Sequence, residues 1–330
     1  MILGCELRVV TPILRMSLNM IPVAPPIPLT LETSNASNVQ ESLQTSETFT
    51  NLREQISLRC GTLLEETSTQ DVESRKAYQY CLQIFGVEKT EKCRLISSYL
   101  PVTPVLQNGP RCGLVALAMA STLTNNQPVI TEDIFKEAQT RGYSKQGEMF
   151  MAKDLQALAA SFLKCPVHHC LVDSKDLFSN LLKHNLILIP YDADKNFSPC
   201  SKKGHKSHWA LLTGFFAMLE ANKVTDQLTS ECVRDDEIHN LHYWPHTASQ
   251  ALCEETVQLL QENLESLYVF GHQGKSRYVG LWSLPRLIES NSNLTEAGQM
   301  RPSGEYVIPD GDIEQGLRGQ MIVINRNQDT

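Results

Sequence analysis

The hydrophobic positions of this chain are sparse at the start and dense from the middle onward. Residues 33–51 are almost all Ser, Thr, Asn, Gln and Glu, and residues 21–30 (IPVAPPIPLT) hold four prolines. Such a segment buries too little apolar area to offset its ordering entropy, so residues 1–51 are expected to be a disordered tail. Apolar residues then return at helical spacing: Leu52, Ile56, Leu58, Leu63 and Leu64, and later Tyr78, Leu82, Ile84 and Phe85. That pattern predicts a helical lead-in over residues 52–100, closed by Pro101 and Pro104. The run 114–120 is rich in Ala and Leu and predicts a buried helix ending near Thr122. A second helix is expected over 131–141, with Thr131 as a cap and Glu132 and Asp133 in its first turn, and a third over 152–163.

Strand signals follow. Residues 185–190 form a short continuous apolar run, and 208–216 form another with aromatic residues and a threonine. A polar loop with Asp192, Asp194, Asn196, Pro199, Lys202, Lys203 and Gly204 separates them. Residues 220–262 are polar, with a helical stretch near 250–264. Strands are expected again at 266–270, 278–282, 306–308 and 320–324. There is no internal repeat. Helices first and strands later predict an α+β fold with a largely antiparallel sheet, over a domain spanning 101–330.

Composition narrows the class. Of 330 residues, 42% are hydrophobic and 20% charged, as in soluble globular chains. The 29 Lys and Arg against 37 Asp and Glu leave a formal charge of −8, which argues against nucleic-acid or anionic-membrane binding. No stretch reaches the roughly 18 apolar residues of a membrane span. The apolar start is broken by Glu6, Arg8, Pro12 and Arg15, so a signal peptide is not expected and a cytoplasmic location is. Ten cysteines without a Cys-x-x-Cys pair fit reduced thiols packed as small hydrophobes. Cys165, His168, His169 and Cys170, and Cys200, His205 and His208, are dense in ligand types but lack the paired spacing of zinc modules. Phosphate-loop and dinucleotide fingerprints are absent, so neither metal nor cofactor is expected.

One cysteine is placed differently. Cys112 follows Gly109-Pro110-Arg111 and opens the apolar helix. A helix start gathers unpaired N–H groups and about half a positive charge, which favours thiolate, the nucleophilic form. Gln107 lies on the loop before it, where its amide and the Cys112 N–H can form two donors of an oxyanion hole. His208 stands at the start of a strongly apolar strand, where an imidazole can take the thiol proton. Each residue alone fits an ordinary structural position; together they fit a thiol hydrolase.

Three motifs in order carry a resemblance. Gln107-Asn-Gly-Pro-Arg-Cys112-Gly-Leu-Val-Ala-Leu, Arg141-Gly-Tyr-Ser-Lys-Gln-Gly-Glu-Met-Phe150 and Leu188-Ile-Pro-Tyr-Asp192 with Lys203-Gly-His-Lys-Ser-His208-Trp-Ala resemble the actin maturation protease family of animals. The likeness covers 100–215, with core motifs at 104–216, and continues more loosely through Gln273-Gly-Lys-Ser276 and Leu281-Trp282. That family is similar to the peptidases that trim bacteriocin leaders. It implies a papain-like cysteine peptidase fold with a helix-borne cysteine and an antiparallel sheet carrying the histidine. The implied activity is removal of the acetylated first residue of actin, acetyl-Met or acetyl-Cys, with Cys112 as nucleophile, His208 as base and Gln107 in the oxyanion hole. Where the family has an acidic residue after the tryptophan, this chain has Ser283, and Gln273 and Asp226 remain candidates to orient the histidine. The implied partners are actin and, through the Pro-rich residues 22–28, profilin; the same segment also reads as an irregular linker. Lys202, Lys203 and Lys206, with His205, form the densest positive run, and the expectation is that they read the acidic stretch beyond the cleaved bond of actin. Two other readings remain: a thiol hydrolase with another N-terminal or isopeptide substrate, and a binding module for actin or profilin without catalysis.

Overall fold

Strand Ser207–Glu220 (β4) organises the sheet, because its 14 residues are long enough to serve three neighbours. It pairs antiparallel with Leu186–Asp192 (β3) through its first half, with Cys93–Tyr99 (β1) through its second, and with Leu267–His272 (β7) across the middle. The computed structural model describes residues 69–125, 127–262, 266–298 and 304–326. The expected tail, the Pro-rich residues 22–28 and residues 52–68 of the lead-in lie outside these.

In chain order, Thr69–Phe85 (α1) and Val87–Glu91 (α2) precede β1, and Cys112–Ser121 (α3), Thr131–Thr140 (α4) and Ala152–Phe162 (α5) follow it. Val167–Leu171 (β2), Ser174–Leu182 (α6), β3 and β4 come next. Asp226–Ser230 (α7), Val233–Arg234 (β5), Leu241–Tyr243 (β6) and Gln250–Gln261 (α8) lead to β7. Gly280–Ser283 (β8), Leu284–Ser292 (α9), Asp312–Leu317 (α10) and Gln320–Ile324 (β9) complete the described chain. These strands form one sheet in the order β2-β9-β3-β4-β1-β6-β5, with β7 on β4 and β8 on β7. Every pairing is antiparallel except β1 with β6. The fold is α+β, and the strand that carries His208 has only antiparallel neighbours.

Both faces of the central strands are covered, which is why their sequence is continuously apolar rather than alternating. Leu186, Leu188, Trp209 and Leu211 pack with α3, α4 and α5 on one face. Ile187, Ile189, Ala210 and Leu212 pack with α6, α8 and α9 on the other. Gly214 sits at the register shift of β4, where a Cβ would fall 2.0 Å from the Ser98 carbonyl oxygen, so only glycine admits β1 so closely.

The structure departs from sequence expectation at residues 93–99 and 306–308, and at Thr131, which follows the N-cap Ile130 rather than capping its helix. Residues 93–99 were expected to be helical and instead form β1 beside β4. Arg94, Ser97 and Ser98 hide its strand character, yet both serines are buried and bonded: Ser97 Oγ to Ser74 Oγ at 2.8 Å and Ser98 Oγ to His184 Nδ1 at 3.3 Å. Residues 306–308 form no named strand; the Val307 N–H is instead bonded to Glu148 Oε1 at 2.8 Å. The Cys165–Cys170 cluster falls largely in β2, whose pleat sends successive side chains to opposite faces. No helix among the described residues is long and apolar enough to cross a membrane.

Two buried histidines couple the fold to pH. His184 is held by Ser98 Oγ and the Pro245 carbonyl oxygen, 3.2 Å from its Nε2, and His272 lies 3.1 Å from Tyr99 Oη. Burial is the leading cause that pushes both imidazoles down to about 4, against an ordinary 6.5. The unfolded chain therefore takes up protons below pH 6.5 that the native state accepts only near pH 4. Their stabilisation is complete above that window and lost through it as pH falls, on the order of 3 kcal/mol per histidine as an upper bound. The denaturation midpoint is expected to fall steadily from pH 6.5 to 4, and less steeply in His272→Gln. A variant with the wild-type slope would exclude His272 from this role.

Candidate active site

Cys112 is the first residue of α3, and every later residue of that helix is buried. Arg111 precedes it with φ −98° and ψ 24° and gives no side-chain cap. The first bond of the helix runs from Val115 N–H to the Arg111 carbonyl at 2.9 Å, so the N–H groups of Cys112, Gly113 and Leu114 lie ahead of it. The Arg111 guanidinium is directed elsewhere: it lies 3.9 Å from the Phe135 ring centroid and bonds Glu132 at 2.6 Å.

His208 is the second residue of β4 and is half-buried, opposite Tyr191 in register. The Tyr191 ring lies 6.3 Å from the imidazole, and the Phe197 ring meets it edge-on at 5.7 Å. Burial, then Cys112 and Asp194, hold the Tyr191 phenol well above its usual range, and its hydroxyl donates to the Phe197 carbonyl at 2.8 Å. The next residue, Trp209, joins strand to helix: its Nε1–H donates to the Met149 carbonyl at 2.8 Å. A Cβ on Gly113 would stand 3.1 Å from both Met149 Cβ and Trp209 Cδ1. The residue after the cysteine is thus pressed against the residue after the histidine.

Cys112, His208 and Gln107 line one cavity of about 290 Å³, walled by Met149, Phe150, Trp209, Tyr306 and Leu317. Gln107 is fixed by its backbone N–H to the Gly274 carbonyl at 2.7 Å. Its Nε2 donates one hydrogen to the Gly109 carbonyl at 2.7 Å, and the second hydrogen of that amide is not used in this bond. Its buried Oε1 makes no hydrogen bond.

Glu148, also in the lining, was assigned no role from sequence. Its carboxylate is buried and accepts four bonds: from Ser144 Oγ at 2.9 Å, Gln146 N–H at 2.7 Å, Lys145 N–H at 3.0 Å and Val307 N–H at 2.8 Å. These bonds fasten the turn before Met149 to the segment carrying Tyr306, so two cavity walls depend on one side chain.

The lysine run lies apart from the lining. Lys202, Lys203 and Lys206 are exposed, and none of them borders the cavity. Lys203 Nζ lies 3.3 Å from Glu296, which also meets His205 Nε2 at 2.9 Å. Those contacts, the His205 bond first, hold the Glu296 carboxyl below its usual range. The loop backbone is gathered by Asp192, whose carboxylate accepts N–H bonds from Lys202, Gly204 and Lys206. The lysine that does line the cavity is Lys275. Of the candidate orienting groups, Gln273 is buried and accepts the Lys275 N–H at 2.6 Å, Ser283 precedes α9, and the Asp226 side chain lies outside the described residues.

Comparison with known proteins places this site in context. The actin maturation protease-like C-terminal domain family matches residues 102–216, which contain both Cys112 and His208. The actin maturation protease of Danio rerio is 32% identical over 245 residues, 71% of this chain and 75% of that protein. The Drosophila melanogaster protein of that name is 30% identical over 235 residues, covering 69% and 70%. The Homo sapiens protein is 34% identical over 228 residues, 67% of this chain and 63% of its own length. Among solved structures, a chain described as a C39-like peptidase from Bacillus anthracis aligns with a TM-score of 0.33 and 12% identity, over 70% of this chain and 98% of that one.

The described cysteines are all free, and they differ in burial. Burial pushes the Cys81 and Cys232 thiols up to about 12 and raises those of Cys93, Cys165, Cys170, Cys200 and Cys253. Cys112, at a helix start and bordering the cavity, is expected to be the described thiol that iodoacetamide modifies first near neutral pH. Gly113→Ala requires Met149 and Trp209 to give by a few tenths of an ångström and is expected to slow that labelling. Equal labelling of Cys112 and Cys200 would sink the assignment of Cys112 as the reactive thiol.

Proposed function

The chain belongs to the actin maturation protease family, and from that premise we propose that it is a cysteine aminopeptidase that removes the N-acetylated first residue of actin, acetyl-Met or acetyl-Cys, in the cytoplasm. The observation that carries this reading is the single cavity lined by Cys112 at a helix start, His208 at a strand start and Gln107 beside them. The Cys112 sulfur attacks the carbonyl carbon of the acetylated residue while His208 takes the thiol proton. The oxyanion is met by the Cys112 N–H and the unused N–H of Gln107. His208 then protonates the departing amine, leaving a thioester. Water, deprotonated by the same imidazole, hydrolyses it and releases the acetyl-amino acid.

The cavity supports the choice of an acetylated end. A free N-terminus brings an ammonium that needs a carboxylate partner when it is desolvated. The carboxylate in the lining is that of Glu148, and its roughly four acceptor sites are already taken up by Ser144, Lys145, Gln146 and Val307. An acetylated residue brings no charge, and the walls of Met149, Phe150, Trp209 and Leu317 suit a thioether side chain. The volume is at the small end for ligand sites, which fits one residue rather than a length of peptide.

Mass spectrometry of an acetylated actin N-terminal peptide, and of intact actin, is expected to show loss of one acetyl-amino acid. Cys112→Ala and His208→Ala are expected to lower the rate by more than about 10³-fold. The same peptide with a free amine is expected to be a poor substrate. Cleavage that survives Cys112→Ala, or no cleavage of either form of actin, would reject the proposal, the second outcome in favour of a binding role.

A further inference from the structure

The cavity holds one cation whose charge no neighbour answers. Lys275 borders it together with Cys112 and His208, is exposed, and forms no ion pair among the described residues. Three other cations near the site are engaged. Arg111 is stacked on Phe135 and bonded to Glu132, Lys145 Nζ donates to the Gly304 carbonyl at 2.6 Å, and Lys203 faces Glu296. Glu148 leaves no acceptor for a lysine, because four donors already surround it.

The turn that presents Lys275 is built to hold a position. Gln273 is 4% exposed, and its Oε1 accepts the Lys275 N–H at 2.6 Å. The Gly274 carbonyl accepts the Gln107 N–H at 2.7 Å. A Cβ on Gly274 would come within 2.9 Å of Gln107 Oε1 and 3.1 Å of Val115 Cγ1, so this backbone is packed on the start of α3. Lys275 is thereby tied to the same frame as the nucleophile, while its side chain reaches solvent at the mouth.

We propose that Lys275 is a specificity-determining residue that receives an acidic side chain of the substrate just beyond the scissile bond. This rests on the reading of Cys112 as the nucleophile of a peptidase and deepens it. When the first residue fills the apolar interior, the rest of the substrate must leave through the mouth, past Lys275. There an ammonium on a flexible stem meets a carboxylate in a setting shielded from solvent on one side, where ion pairs are stronger than on an open surface. Lys202 and Lys206 do not border the cavity and would act only at longer range, where salt screens them.

The test uses the full chain and two acetylated peptides that differ only beyond the scissile bond, one with Asp or Glu at the first three positions and one with Asn or Gln. For the wild type, kcat/KM is expected to favour the acidic peptide by roughly fivefold at low salt and less at high salt. Lys275→Glu is expected to invert that preference and to favour a third peptide with lysines at those positions, and Lys275→Arg is expected to keep it. Inversion of charge preference cannot come from a folding defect, which lowers the rates on all three peptides together. If wild type and Lys275→Glu show the same acidic-to-neutral ratio, the inference is overturned and the peptidase reading stands. If the wild type cleaves none of the peptides nor intact actin, both fall.

Discussion

The approach of Trp209 to Gly113 is the constraint on which the site depends. The two candidate reacting residues come from elements almost a hundred residues apart. What joins them is their successors: the indole packs on a helix position that has no side chain, and its Nε1–H bonds the Met149 carbonyl. A methyl at Gly113 would be too close by a few tenths of an ångström, and an indole without its bond would leave a buried carbonyl unanswered. Met149 in turn follows Glu148, so the contact that sets the Cys112–His208 approach also sets one wall of the cavity. Helix, strand and wall are therefore a single mechanical unit, held from both sides by a sheet buried on both faces.

Buried carboxylates serve this unit as anchors for backbone. Glu148 gathers the N–H groups of Lys145, Gln146 and Val307, and Asp192 gathers those of Lys202, Gly204 and Lys206. In both cases a loop that makes no sheet ladder has several of its donors satisfied by one side chain. The consequence for charge is indirect. Glu148 in the lining already accepts four hydrogen bonds, which leaves it little capacity to pair with a further donor.

Much of this was legible in the sequence, and what was not has physical causes. The helix beginning at Cys112 announced itself by an Ala and Leu run with no polar interruption, and the strand at His208 by an apolar run too long for a surface. The strand of residues 93–99 did not, because Arg94, Ser97 and Ser98 break the apolar pattern; their hydroxyls find partners, Ser74 and His184, that only the folded chain brings near. Cys112, His208 and Gln107 drew attention as a combination, each being ordinary at its own position, and the fold brings all three to one cavity. Glu148 and Lys275 were passed over because a glutamate in a turn and a lysine after a glycine carry no local signal. The lysine run before His208 drew attention by density, yet density along the chain does not fix direction: Lys203 faces Glu296 and none of the three lysines borders the cavity.

The same logic bears on how the imidazole is held. Ser283 takes the place after Trp282 where the family resemblance implies an acid, and it leads into α9. Trp282 instead packs at 5.0 Å on Tyr191, and both Gly271 and Gly280 lack the side chain that would collide with its ring. Tyr191, fixed through its hydroxyl to the Phe197 carbonyl, lies beside His208, and the Phe197 ring closes the other approach. Rings packed in this way limit the orientations open to an imidazole. A thiol is acidic enough to be activated by an imidazole without a carboxylate partner, which suits the proposed Cys112–His208 pair to a chain that has Ser283 after the tryptophan.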